Sequence, residues 1–215
     1  MEASAPYTII NFDTWKRKAT FEHFQRFKIP NVNITAKLDV TQLYQWCKLE
    51  DLSFFLAYLH CAAKALNAVP ELRTRLVGQE IRQYEVIHPG CTVLNVDETF
   101  GFIYYTYHEQ RREFIKIGQQ KQHEYFEGGA VHDPRFNTPD LFHGSALPWI
   151  DYEQMEHPKT FTESDYIPKI SFGKAVLQGA IRKMAVSLQV HHGLADGLHI
   201  ARFFDNFEAA AKENS

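Results

Sequence analysis

Apolar side chains recur at every second position over Val32, Ile34, Ala36 and Leu38, the period of a strand with one buried face. Over Ile200 to Lys212 the period lengthens to 3.6, with Ile200, Phe203, Phe204 and Phe207 followed by Ala209, Ala210 and Ala211; this predicts a helix. Phe54 to Asn67, capped by Ser53, is apolar nearly all round, which predicts a buried helix. Tyr7 to Phe12 reads as an extended edge. Asp13 or Thr14 then caps a helix that carries Phe21 and Phe24 on one face and ends by Pro30. A short helix is expected over Gln42 to Cys47, strands near Glu80–Tyr84, Thr92–Val96 and Gly101–Tyr107, and helical spacing over 108–126. Gly128 to Asp140 reads as loop, and 151–168 as loop or short helices. Ile170–Gly173 and Ala185–Val190 are expected strands, with Lys174–Lys183 as their hairpin connection. Strands and helices mix without regular βαβ alternation. That favours an α+β two-layer sandwich over a doubly wound sheet.

The chain's 215 residues carry no Pro/Gly/Ser-rich linker and no internal repeat, so residues 1–215 are expected to form one domain. Apolar residues at 45% and aromatics at 14% are enough for a core and for an aromatic-lined pocket. A net charge of −3 with interspersed signs gives no basic footprint for nucleic acid. The chain opens with no signal-peptide core and has no membrane-length apolar run. Cys47, Cys61 and Cys91 are scattered without metal spacing, which fits reduced thiols and a cytoplasmic setting. His23, His60, His88, His108, His123, His132, His143 and His157 likewise lack metal spacing and are read as ordinary packing or surface residues.

The chemistry concentrates after the last predicted strand, in Gln189-Val190-His191-His192-Gly193-Leu194-Ala195-Asp196-Gly197-Leu198-His199. A strand end is a rigid place to present a general base, and histidine, with an ordinary pKa of about 6.5, suits that work. Ser145-Ala146-Leu147-Pro148-Trp149 joins a hydroxyl to a rigid Pro-aromatic turn. Ser145 is open to three readings: a turn hydroxyl, an oxyanion donor or a nucleophile. The flanking His143-Gly144-Ser145-Ala146-Leu147 lacks the second glycine of a nucleophile elbow.

Trp15-Lys16-Arg17-Lys18 with Phe21, Ser145 to Trp149, Asn67 to Arg73, His88-Pro89 and the His191-His192…Asp196-Gly197 run resemble, nearly end to end, the type A chloramphenicol acetyltransferase family of CoA-dependent acyltransferases. The resemblance implies a large mixed β-sheet flanked by helices. It also implies a homotrimer with active sites at subunit interfaces, acetyl-CoA as co-substrate and no tightly bound cofactor. The acceptor would be chloramphenicol or a similar small alcohol. His192 would be the general base, oriented by its own backbone carbonyl, and Ser145 the oxyanion donor. Asp196, which by spacing alone reads as a His-Asp dyad partner, would instead pair with Arg17 and support the loop. Phe24, Phe100 and Phe102 would line the acceptor pocket, and Ser171 and Trp149 would lie on the acetyl-CoA side. His191 is read as a supporting residue, and His199 as capping or packing on the last helix.

Four positions depart from the family pattern. Lys28 and Pro30 stand where the family carries apolar pocket residues or Cys, Ala175 replaces an aromatic near the CoA adenine, and Ser53 replaces a lysine near a CoA phosphate. They leave open the same mechanism on another alcohol. A dihydrolipoyl acyltransferase core shares the histidine motif but needs a tethered carrier domain, and a non-catalytic binding protein would have no use for both His192 and Ser145.

Overall fold

The computed structural model describes residues 5–128, 133–158 and 166–213. Parts of the two expected loops, residues 129–132 with His132 and residues 159–165, lie outside them. A seven-stranded mixed sheet forms the centre. It contains β2 (Asn31–Asp39), β5 (His88–Leu94), β6 (Phe100–Tyr104), β7 (Leu141–Ala146), β8 (Lys169–Phe172), β9 (Val176–Gln178) and β10 (Ile181–His191). Their order is β2-β10-β8-β7-β5-β6, with β9 pairing the start of β10. The β5–β7 and β7–β8 pairs are parallel; the rest are antiparallel. A separate three-stranded sheet joins β1 (Tyr7–Ile10), β4 (Glu80–Tyr84) and β3 (Thr74–Val77).

The helices are α1 (Lys18–Phe24), α2 (Thr41–Leu49), α3 (Phe54–Asn67), α4 (Arg111–Glu127) and α5 (Gly197–Lys212). Met184, Val186, Leu188 and Val190 of β10, Ile170 and Phe172 of β8 and Phe142 of β7 form one core with buried residues of α3 and α5. The alternate residues of the same strands, Ser187, Gln189, Ser171 and Ser145, face the other way, as the period of two requires.

Several expected boundaries move. Trp15 lies outside a helix, because the chain makes a 3₁₀ turn over Phe12–Thr14 before α1 begins. Strand β5 starts at His88 and stops at Leu94, leaving Val96 fully exposed beyond it. Strand β6 stops at Tyr104, short of Tyr107. The expected connection Lys174–Lys183 is itself a hairpin of strands, turning at Gly179, whose φ of 62° suits glycine. Strand β10 therefore runs eleven residues. Strands β3 and β7 fall where the sequence pattern predicts none.

Candidate active site

The chain leaves β10 at His191 and is caught at once: the His192 N–H donates to the Pro30 carbonyl at 2.7 Å, next to the first residue of β2. The imidazole of His192 lies flat on the Phe24 ring, with centroids 4.2 Å apart and planes 13° from parallel. Arg17, buried, holds the following turn at three points. Its Nη2 donates to the His192 carbonyl (3.3 Å), its Nε to the Gly193 carbonyl (3.3 Å) and its Nη1 to Asp196 Oδ2 (2.9 Å). Gly193 fits because a Cβ there would meet the His191 ring at 3.0 Å and Phe21 at 3.1 Å. The His191 Nδ1 accepts from the Gly193 N–H at 3.1 Å, so His191 closes the same turn from inside.

Asp196 is committed away from His192. Its Oδ1 accepts from the Leu198 N–H at 3.2 Å, and His199 Nδ1 lies 2.9 Å from the same oxygen and accepts from the Asp196 N–H at 3.1 Å. Aspartate and His199 thus cap α5 reciprocally, which is why the helix begins at Gly197 rather than Ile200. Burial alone would raise the Asp196 carboxyl; the Arg17 hydrogen bond and charge, with the Leu198 N–H, outweigh it and hold the group below the ordinary carboxylate range. Glu71, 3.4 Å from His199 Nε2, extends this network toward β3. The His192 carbonyl, expected to orient its own ring, accepts from Arg17 instead. His192 Nδ1 has no hydrogen-bond partner among the described residues. The described contact of the ring is its stack on Phe24.

The other expected residues collect elsewhere on the sheet. Thr35, Ser187, Ser171 and Ser145 stand in one cross-strand row over β2, β10, β8 and β7. The chain after β7 lies over this row. Ser187 Oγ donates to Tyr152 Oη (3.1 Å), which donates to the Ser171 carbonyl (2.8 Å); Thr35 Oγ1 therefore donates to Ser187 Oγ (2.8 Å). The Ser171 hydroxyl itself bonds His157 Nε2 at 3.1 Å. Ser145 is half-buried, and Gly144 before it must be glycine, since a Cβ would run into Cys91 Sγ. Trp149, Ser53 and Ala175 line one cleft of about 610 Å³ that reaches Ala146, beside Ser145. Phe102 lies 4.3 Å from Phe136, and Phe100 is 64% exposed. Lys28 is exposed in the turn after α1, and Pro30 is buried.

Within one chain, His192 and Ser145 do not share a site. Ser145 aligns through Ser171 with Ser187 of β10, and His192 lies five residues further along that strand direction. At about 3.3 Å per residue and about 4.8 Å per strand, the two are roughly 19 Å apart, beyond the reach of one alcohol and one thioester. Of the expected residues, His192, Phe24, Arg17 and Asp196 lie together, and Ser145, Ser171, Trp149, Phe100 and Phe102 lie apart from them. Among the described residues no group of His, Cys, Asp and Glu is placed to hold a metal, and no helix is long and apolar enough to cross a membrane. The sequence reads His157 as an ordinary packing or surface residue and singles out neither Glu71 nor Arg182. His157 and Glu71 carry no spacing signal. Arg182 fell in what reads as a connection and is placed by the longer β10.

A large mixed sheet, helices over one face and a clamped histidine at the end of a central strand define a CoA-dependent acyltransferase fold. A solved chloramphenicol acetyltransferase superposes with a TM-score of 0.84 at 23% identity, covering 96% of this chain and 100% of that one. The cubic core of the pyruvate dehydrogenase multienzyme complex shares the fold at a TM-score of 0.67 and 15% identity, over 91% of this chain and 86% of that one. Sequence decides between them: the chain belongs to the chloramphenicol acetyltransferase family, whose model matches residues 5–208. A chloramphenicol acetyltransferase of Klebsiella sp is 30% identical over 208 residues, 96% of this chain and 94% of that protein.

Proposed function

We propose that this chain is an acetyl-CoA-dependent O-acetyltransferase that acetylates a hydroxyl of chloramphenicol; its relatives are named chloramphenicol acetyltransferases. It would work in the cytoplasm as a homotrimer with active sites between subunits. The observation that carries the mechanism is the placement of His192, stacked on Phe24 at the end of β10 with its turn clamped by Arg17.

His192 Nε2 takes the proton of the acceptor hydroxyl as its oxygen attacks the thioester carbonyl. The new C–O bond makes a tetrahedral oxyanion, to which Ser145 Oγ of a neighbouring copy donates a hydrogen bond. Collapse breaks the C–S bond, and the CoA thiolate recovers the proton from the imidazolium. No acyl-enzyme forms. The separation of His192 and Ser145 within one chain supports assembly from two copies. Phe24, on the histidine's side, and Phe100 and Phe102, on the serine's side, would hold the aromatic ring of the acceptor. Lys28, exposed, keeps its charge in water and leaves a neutral acceptor admissible.

Thiol release from acetyl-CoA tests the reading. Release that depends on chloramphenicol, and that falls by about 10²–10⁴ in kcat for His192→Ala, is the expected result. Release with other alcohols but not with chloramphenicol would place the acceptor elsewhere. Wild-type turnover by His192→Ala would remove the base.

A further inference from the structure

Arg182, near the start of β10, is half-buried and makes no ion pair among the described residues. Its guanidinium carbon sits 4.0 Å over the Tyr44 ring, and its Nη1 donates to the Ala175 carbonyl at 2.9 Å. Tyr44 is braced edge-on by Phe54, 5.2 Å away. One hydrogen bond and one stack leave most of the guanidinium's five donors without an acceptor among the described residues. This fork lines the cleft that also holds Trp149, Lys174 and Ala146, and none of the residues lining that cleft is acidic. A cation presented to an apolar, carboxylate-free cleft is a site for an anion, and a planar fork suits a phosphate.

The cleft also has a direction. Ala146, next to Ser145, marks the end where a thioester carbonyl would meet its oxyanion donor. Arg182 comes from the opposite end of β10 to His192, and Lys174 and Ala175 follow the end of β8. Ser53 and Ala175 line the cleft with neither charge nor ring, Ser53 being occupied in capping α3 at 3.3 Å from the Leu56 N–H. The flat surface and the forked cation come from Tyr44 and Arg182.

We propose that Arg182, seated on Tyr44 and assisted by Lys174, binds a phosphate of the CoA nucleotide and so fixes the direction in which acetyl-CoA enters the cleft. This rests on the reading that acetyl-CoA is the acyl donor. The stack on Tyr44 holds the fork in place before the ligand arrives, so little side-chain freedom is lost on binding.

Titration calorimetry with CoA, paired with kcat/KM for acetyl-CoA and for acetyl-pantetheine, tests it on wild type, Arg182→Met and Arg182→Lys. Acetyl-pantetheine carries the thioester without the nucleotide. Arg182→Met keeps an apolar stem over Tyr44 and is expected to weaken CoA about ten- to a hundredfold, the loss of one or two charge-assisted hydrogen bonds, while kcat/KM for acetyl-pantetheine stays within about twofold. Arg182→Lys, with charge but no fork, is expected to fall between. If Arg182→Met binds CoA like wild type, or loses acetyl-pantetheine in the same proportion, the assignment is overturned. If the wild-type protein binds no CoA, the assignment falls together with the donor it rests on.

Discussion

One guanidinium, that of Arg17, ties the His192 carbonyl, the Gly193 carbonyl and the Asp196 carboxylate into a single turn. A fully buried pair broken on one side costs about 3–5 kcal/mol, but the Asp196 side chain is 37% exposed, so Asp196→Asn, which keeps a helix-capping oxygen, is expected to cost roughly 1–3 kcal/mol. The sign with pH follows from the lowered carboxyl. The pair contributes fully above the ordinary aspartate pKa and fades as pH falls through that value to the lowered folded one. Thermal melts of wild type and Asp196→Asn between neutral pH and pH about 3 should therefore converge toward acid. A constant gap would deny the ion pair. Residue spacing alone pointed from Asp196 to His192, four positions away. Its real partner is 179 residues distant, and only the family resemblance pointed there. His157 reads in the sequence only as an ordinary packing or surface residue, because its bond to Ser171 depends on how the chain after β7 crosses the sheet.

At the scale of elements, α3 was legible because its apolar residues surround it, and only a buried helix does that. The length of β10 was not. Arg182 and Lys183 interrupt the apolar alternation, and what holds them in the sheet is pairing, to β9 around Gly179 and from the Arg182 N–H to Thr41 Oγ1 at 2.7 Å. Helix α3 also carries a titrating weakness. His60, buried in it, donates from Nε2 toward the His108 and Glu109 carbonyls (both 3.1 Å) and accepts at Nδ1 from Arg111 at 3.4 Å. Burial, then the Arg111 charge, pushes its pKa down to about 4. A histidine that titrates lower when folded gives stability that is complete above its unfolded pKa and lost as pH falls from there to about 4, at most about 3 kcal/mol. Urea midpoints should drop between pH 7 and pH 4.5 in wild type and drop less in His60→Asn. Equal drops in the two proteins would remove His60 as the cause.

At the scale of the molecule, one sheet carries both His192 and Ser145, and its register keeps them apart. Ser145, Ser171 and Ser187 share a row, while His192 stands five residues further on, beyond the end of β10. The mixed sheet was legible through the family resemblance; the register was not, since it depends on which strands pair and with what offset. In the proposed mechanism, catalysis needs His192 of one copy and Ser145 of another. The direct measurement is to unfold His192→Ala and Ser145→Ala proteins, each inactive alone, mix them in equal amounts, refold them together and assay thiol release with acetyl-CoA and chloramphenicol. Random assembly of interfacial sites pairs an intact His192 with an intact Ser145 in about one site in four, so about a quarter of wild-type activity per site is predicted. If both residues served one chain's own site, every site would lack one of them, and the mixture would be as inactive as its parts.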